Sequence, residues 1–194
     1  MGWVTFKIGK INEEKSLTFQ VVSWDINHAD IETSARNLAG DIRKTKFKVN
    51  VPSIKLTGAK MTLTDYNMLY SMKSRATVLN FLCRDDWAIV DEENASTDAT
   101  HLTLLNTCAT GITVTGVWLL TDPTHAGTNY FTGGSYNATT RVVTLGASLP
   151  GATTAVLVNY SYTGQAVTID SMAIKAMQGI IKNYFFVDMT LAGA

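Results

Sequence analysis

The chain has 194 residues, enough for one compact domain or two small ones. Hydrophobic residues make up 46% of it and charged residues only 16%, well below the usual quarter, which points to surface covered in an assembly. Sixteen basic side chains balance sixteen acidic ones, and this neutrality argues against a generic nucleic-acid or membrane-surface binder.

Val4 to Ile11 reads as a strand, apolar at 4, 6 and 8, and Asn12 to Lys15 as the turn after it. Ser16 to Ile26 alternates with period two, apolar at 17, 19, 21 and then at 22, 24, 26. The change of face between Val21 and Val22 predicts a bulge or bend. Residues 27–45 show no sustained periodicity and read as a long polar arm in loop form. A second strand comes next, over 46–57. Ordering such an arm costs about 1–2 kcal/mol of backbone entropy per residue, so it is expected to be ordered by neighbouring subunits.

Leu63 to Lys73 is the expected helix, with Thr64 as cap, Asp65 in the first turn, and Tyr66, Leu69, Tyr70 and Lys73 on one stripe. Strands are expected at 77–83 and 87–90, separated by an Arg84-Asp85-Asp86 turn. From Asp91 the composition changes: Asp91 to Asp98 reads as a polar linker, and the residues beyond it are rich in Thr, Gly, Ala and Val. Strands are expected at 102–108, 111–120, 141–145 and 155–163, with glycine-punctuated turns at 127–136 and 148–151, and Gly164-Gln165 as the close. Residues 180–191 form a long closing strand. The expected organisation is a core of 1–91 plus 166–194, interrupted by an inserted β-sandwich-like module at 92–165. The halves differ in charge as well. Residues 1–90 hold 13 Lys and Arg against 9 Asp and Glu, and residues 91–194 hold 3 against 7. Such polarity suits stacking on copies or a charged neighbour, with chance sorting of surface charge as the plain alternative.

Catalytic and metal chemistry find no support in the residue pattern. His28, His101 and His125 lack metal-type spacing, and Cys83 and Cys108 form no C-x-x-C. Two cysteines without a secretory signal pattern fit free thiols in a reducing cytoplasm, and Cys108 reads as a buried structural thiol in preference to a partner of His101. The pairs Asp85-Asp86 and Glu92-Glu93 read as solvated turn carboxylates, since neighbours on a strand or turn point apart. The Gly127–Gly134 cluster lacks the Lys-Ser/Thr and following helix of a phosphate loop. Tyr130, Phe131, Tyr136 and Tyr160 read as strand-face packing, with a glycan-stacking patch as the functional alternative. Arg36, Arg43, Lys44, Lys46 and Lys48 read either as a solvated edge that discourages aggregation or as a subunit-interface or lumen-facing set. No cofactor and no metal are expected.

The order Ser16-Leu17-Thr18-Phe19-Gln20-Val21-Val22-Ser23-Trp24-Asp25, the arm 27–45, strand 46–57, helix Thr64 to Tyr70 before strand 76–83, and closing strand 180–191 resembles the tail-tube-like fold of tailed phages, in particular distal tail proteins. The insert, with Gly127 to Ser135 and Leu157 to Tyr162, is similar to phrases in phage virion modules. The resemblance implies a mainly β fold, a tail-tube-like β-sandwich or barrel core with one flanking α-helix; the inserted small β module, read from composition, departs from the family, where an added module commonly follows the core. The resemblance also implies a non-enzymatic virion protein, made in the host bacterial cytoplasm, forming a ring (usually hexameric) around the DNA channel without reading sequence or inserting into a membrane. Its partners would be itself, the tail tube and the tip or baseplate hub. A tube subunit or a tube–baseplate adaptor stays open beside the distal-tail role.

Overall fold

The computed structural model describes residues 2–8, 15–36, 42–175 and 184–194, with the backbone path alone at 8, 15, 33, 35–36, 42–50 and 83–90. The protein is mainly β, with one helix among the described residues. β1 (Gly2–Ile8) pairs antiparallel with β2 (Lys15–Val21), from Gly2 opposite Val21 to Ile8 opposite Lys15. Their alternation buries Val4 and Phe6 from one strand and Leu17, Phe19 and Val21 from the other.

The change of apolar face at 21/22 is a bend at Val22, whose N–H donates to Thr57 O at 2.9 Å. Beyond it the chain continues as β3 (Ser23–Arg36), paired antiparallel with β4 (Ile42–Thr62). This corrects the expected loop at 27–45. Residues 27–36 and 42–45 belong to a β-ladder, and the expected strand 46–57 extends at both ends. The arm lacks periodicity because period-two patterning reports a buried face. Asn27 to Glu32 are exposed throughout, so hydrogen bonding there leaves no apolar signature.

The remaining long strands are β5 (Leu79–Ala95), β11 (Ala155–Lys175) and β12 (Tyr184–Gly193). The main sheet runs β2-β1-β5-β11-β12-β4-β3. Its terminal strands, β2 and β3, are consecutive in the chain and joined by Val22 alone. The sheet therefore curls back on itself around its core. Gly58 makes room at the closure: its φ is +62°, and a Cβ there would lie 2.7 Å from Val22 Cγ2. The β4–β12 register slips at this point, and Gly58 N–H donates to Asp188 Oδ1 at 2.9 Å.

Three expected breaks are continuous strand. The Arg84-Asp85-Asp86 turn and the start of the Asp91–Asp98 linker lie within β5, and Gly164-Gln165 lies within β11. The turn leaves a trace as an irregularity, since pairing steps from Leu82–Gly164 to Trp87–Tyr162. Between β5 and β11 lie β6 (His101–Thr103), β7 (Ala109–Thr110), β8 (Thr113–Leu119), β9 (Ser135–Asn137) and β10 (Val142–Thr144). β7 and β8 pair with β11, while β6, β10 and β9 form a separate small sheet in that order. The expected strand 102–108 is short because Asn106 turns the chain, its Oδ1 accepting from the N–H groups of Cys108 and Ala109.

Buried apolar side chains form two clusters, one drawn from residues 4–81 and 167–191, the other from 102–162. Helix α1 (Leu63–Ser74) covers the first through Leu69. Its cap is Thr62, two residues before the expected Thr64. Asp65 N–H donates to Thr62 Oγ1 at 3.1 Å, and that hydroxyl donates back to Asp65 Oδ2 at 2.7 Å. Among the described residues no helix is long and apolar enough to cross a membrane.

Candidate functional site

The β3/β4 ladder is a long arm. From Asn27 to Arg36 it rises about 30 Å at the usual 3.3 Å per strand residue. Trp24 and Ile31 are each 48% exposed on β3, and the outer edge of this strand carries no further strand among the described residues. The backbone register sets Asp25 opposite Lys55 and Glu32 opposite Lys46.

Arg36 ends β3, and Arg43, Lys44, Lys46 and Lys48 lie on β4 opposite Ala35, Ser34, Glu32 and Ile31. Their side chains lie outside the described residues. Counting by twos sets 44, 46 and 48 on one face, yet the ladder slips between Ile31 and Glu32, where one step on β3 spans two on β4. A slip of this kind re-aims the residues around it.

The arm is tied down at its root. Gln165 is fully buried on β11, and its Nε2 donates to His28 Nε2 and to Tyr162 Oη, both at 3.0 Å. This fixes the neutral ring of His28 as an acceptor, and burial holds its pKa below the ordinary value. β3 is thus clamped to a strand three places away in the sheet order.

The four aromatic candidates divide. Tyr160 is 1% exposed, so it is no glycan platform. Its hydroxyl donates to Glu92 Oε2 at 2.5 Å. Tyr130, Phe131 and Tyr136 are half-buried against the second cluster. Glu92, expected as a solvated turn carboxylate, is 4% exposed. It sits near the end of β5, where alternation sends it inward and Glu93 outward. Its Oε1 accepts from Leu105 N–H at 2.8 Å and Asn94 Nδ2 at 3.1 Å. Burial raises its pKa against the opposing pull of these bonds.

The histidines and the thiol serve separate arrangements. His101 Nδ1 meets Asp98 at 2.9 Å, while Cys108 is buried with its Sγ donating to Ala194 O at 3.2 Å. His125 stacks on Trp118 with ring centres 4.2 Å apart, and its Nε2 lies 2.6 Å from Asp91 Oδ1 without good hydrogen-bond alignment. Among the described residues no three His, Cys, Asp or Glu side chains converge as a metal site.

Sequence reasoning missed a cleft of about 480 Å³ lined by Leu119, Asp122, Ala126, Gly127, Thr128 and Tyr130. Asp122 organises its rim. Oδ1 accepts from Thr124 Oγ1 at 3.1 Å and Ala126 N–H at 3.3 Å, and Oδ2 accepts from Gly127 N–H at 2.7 Å. The Asp122-Pro123 pair shortly before Gly127 was the available signal, though it announces only a turn. The chain matches no family model and no curated protein.

Proposed function

We propose that the protein is a structural component of a phage tail that assembles with copies of itself into a ring, hexameric by resemblance, around the DNA channel. Its role would be that of a distal tail protein joining the tube to the tip or baseplate, with a tube or adaptor subunit as the neighbouring role. The observation that carries this is the β3/β4 arm, a long ladder whose β3 side chains are exposed from Asn27 to Glu32 and whose outer edge is open among the described residues. Isolated proteins blunt such edges, and a ring covers them by pairing or packing against the next subunit. The opposite charge of the two halves of the chain supports a head-to-tail contact.

Mass photometry and negative-stain imaging test the proposal. Rings are expected at high concentration or with tail partners, and exclusively monomeric particles under both conditions overturn it. Replacing Lys44, Lys46 and Lys48 together by Glu is expected to weaken assembly while the monomer keeps its circular-dichroism spectrum. Unchanged assembly would show that these lysines are merely solvated.

A second reading, a carbohydrate-binding module for host attachment, is favoured by the cleft beside Tyr130. It is compatible with a tail-tip position.

A further inference from the structure

We infer that the cleft between loop 120–128 and Tyr130 is a binding site for an uncharged saccharide. The inference rests on the reading of the protein as a carbohydrate-binding module and supplies its site and ligand class. The cleft volume of about 480 Å³ lies within the range of small-molecule sites, roughly 300–1,000 Å³. Its lining combines two kinds of surface. Leu119 and Tyr130 offer an apolar wall against which the C–H face of a sugar ring can lie. Asp122 and Thr128 offer oxygens, and those of Asp122 retain acceptor capacity beyond their three internal bonds.

The sign of the charge selects the ligand. The lining contains a carboxylate and no Lys, Arg or His, so an anion is repelled while hydroxyl donors are welcomed. The Gly127 N–H bond, first among several, holds the Asp122 carboxyl below the usual carboxylate range, so the charge persists into mild acid.

The loop is also built in advance of any ligand. Asp122 ties three positions of it together, and the missing side chain at Gly127 leaves room for the close approach of Asp122 Oδ2, which a Cβ would meet at 2.7 Å. His125 is pinned between the Trp118 ring and Asp91, and both His125 and Asp91 are held at positive φ, +55° and +64°. Non-glycine residues take that conformation at a cost, which surrounding contacts must offset. A rim fixed in this way loses little freedom on binding.

The test is a two-dimensional NMR titration of the full chain with glucose, galactose, N-acetylglucosamine and lactose, and with N-acetylneuraminate as the anionic control. At least one neutral sugar is expected to shift the amide signals of 119–130 at millimolar concentration, and N-acetylneuraminate is expected to leave them in place. Thr128→Trp, an exposed position, fills the cleft and is expected to abolish the shifts while the remaining spectrum is preserved. Tyr130→Ala should do the same where its spectrum shows a folded chain. Silence from every neutral sugar, a response to N-acetylneuraminate, or undiminished binding by Thr128→Trp overturns the inference. Sugar-dependent shifts confined to amides outside 119–130 would overturn this site while leaving a carbohydrate-binding module standing, so the site and the reading it rests on fail distinguishably.

Discussion

Glu92→Ala should cost about 2–6 kcal/mol of folding stability. The side chain is buried and accepts from Tyr160 Oη, Leu105 N–H and Asn94 Nδ2. Asn94 keeps a second acceptor in Thr103 O at 2.8 Å, so its loss is partial. Tyr160 and Leu105 each lose the carboxylate as acceptor, and an unsatisfied buried donor costs about 1–3 kcal/mol. Glu92→Gln keeps an acceptor at the Oε1 position and sets an amide NH2 against the Tyr160 hydroxyl oxygen, so the network survives without an ionisable group. The two proteins then diverge with pH. Burial raises the Glu92 pKa in the folded state above its ordinary 4.5. The stability that the neutral acid contributes is therefore complete below about that pH and is lost as pH rises through the folded value. Urea unfolding at several pH values from acid to neutral should show Glu92→Gln gaining on the wild type by at most about 1.4 kcal/mol per pH unit. A difference that stays flat across this range, or a Glu92→Ala protein as stable as the wild type, refutes the argument.

Thr62→Ala removes the cap of α1 and should cost about 1 kcal/mol, lowering Tm by about 2–4 °C in a chain of this size, while Thr62→Ser restores it. Gly58→Ala should cost about 1–2 kcal/mol for the left-handed backbone alone, with a further loss from the approach to Val22. Combining it with Val22→Ala should recover only the second part, so full recovery in thermal melts would show that φ is not the constraint.

The residues that were legible in the sequence are those whose environment is one-sided. Leu17, Phe19 and Val21 alternate because one face of β2 is buried, and the change at Val22 marks the bend directly. Helix α1 announced itself through a stripe containing Leu69 and an acidic first turn. The arm was illegible for the converse reason: β3 from Asn27 to Glu32 has no buried face, and backbone pairing alone writes nothing into side-chain choice. Asp91 to Ala95 misled in another way. Polar letters suggested a linker, yet this strand end lies between β11 and the small sheet, and Glu92 is buried there because Tyr160, Leu105 and Asn94 supply donors. A single glutamate carries no mark of such a setting. The cleft is formed by residues brought together across a loop and a strand, and only its turn chemistry is local.

β11 serves both hydrophobic clusters. Val156, Val158, Tyr160 and Tyr162 lie in one, Val167 and Ile169 in the other, on one uninterrupted strand. β5 runs alongside it over most of that length. Neither cluster can melt without stripping hydrogen bonds from a strand that the other needs. Cooperativity is thereby carried along the backbone instead of across a domain interface. Calorimetry on the monomer should accordingly record one transition, with a van't Hoff enthalpy equal to the calorimetric one. Damage at either end of β11 is then felt as a loss of stability throughout the molecule.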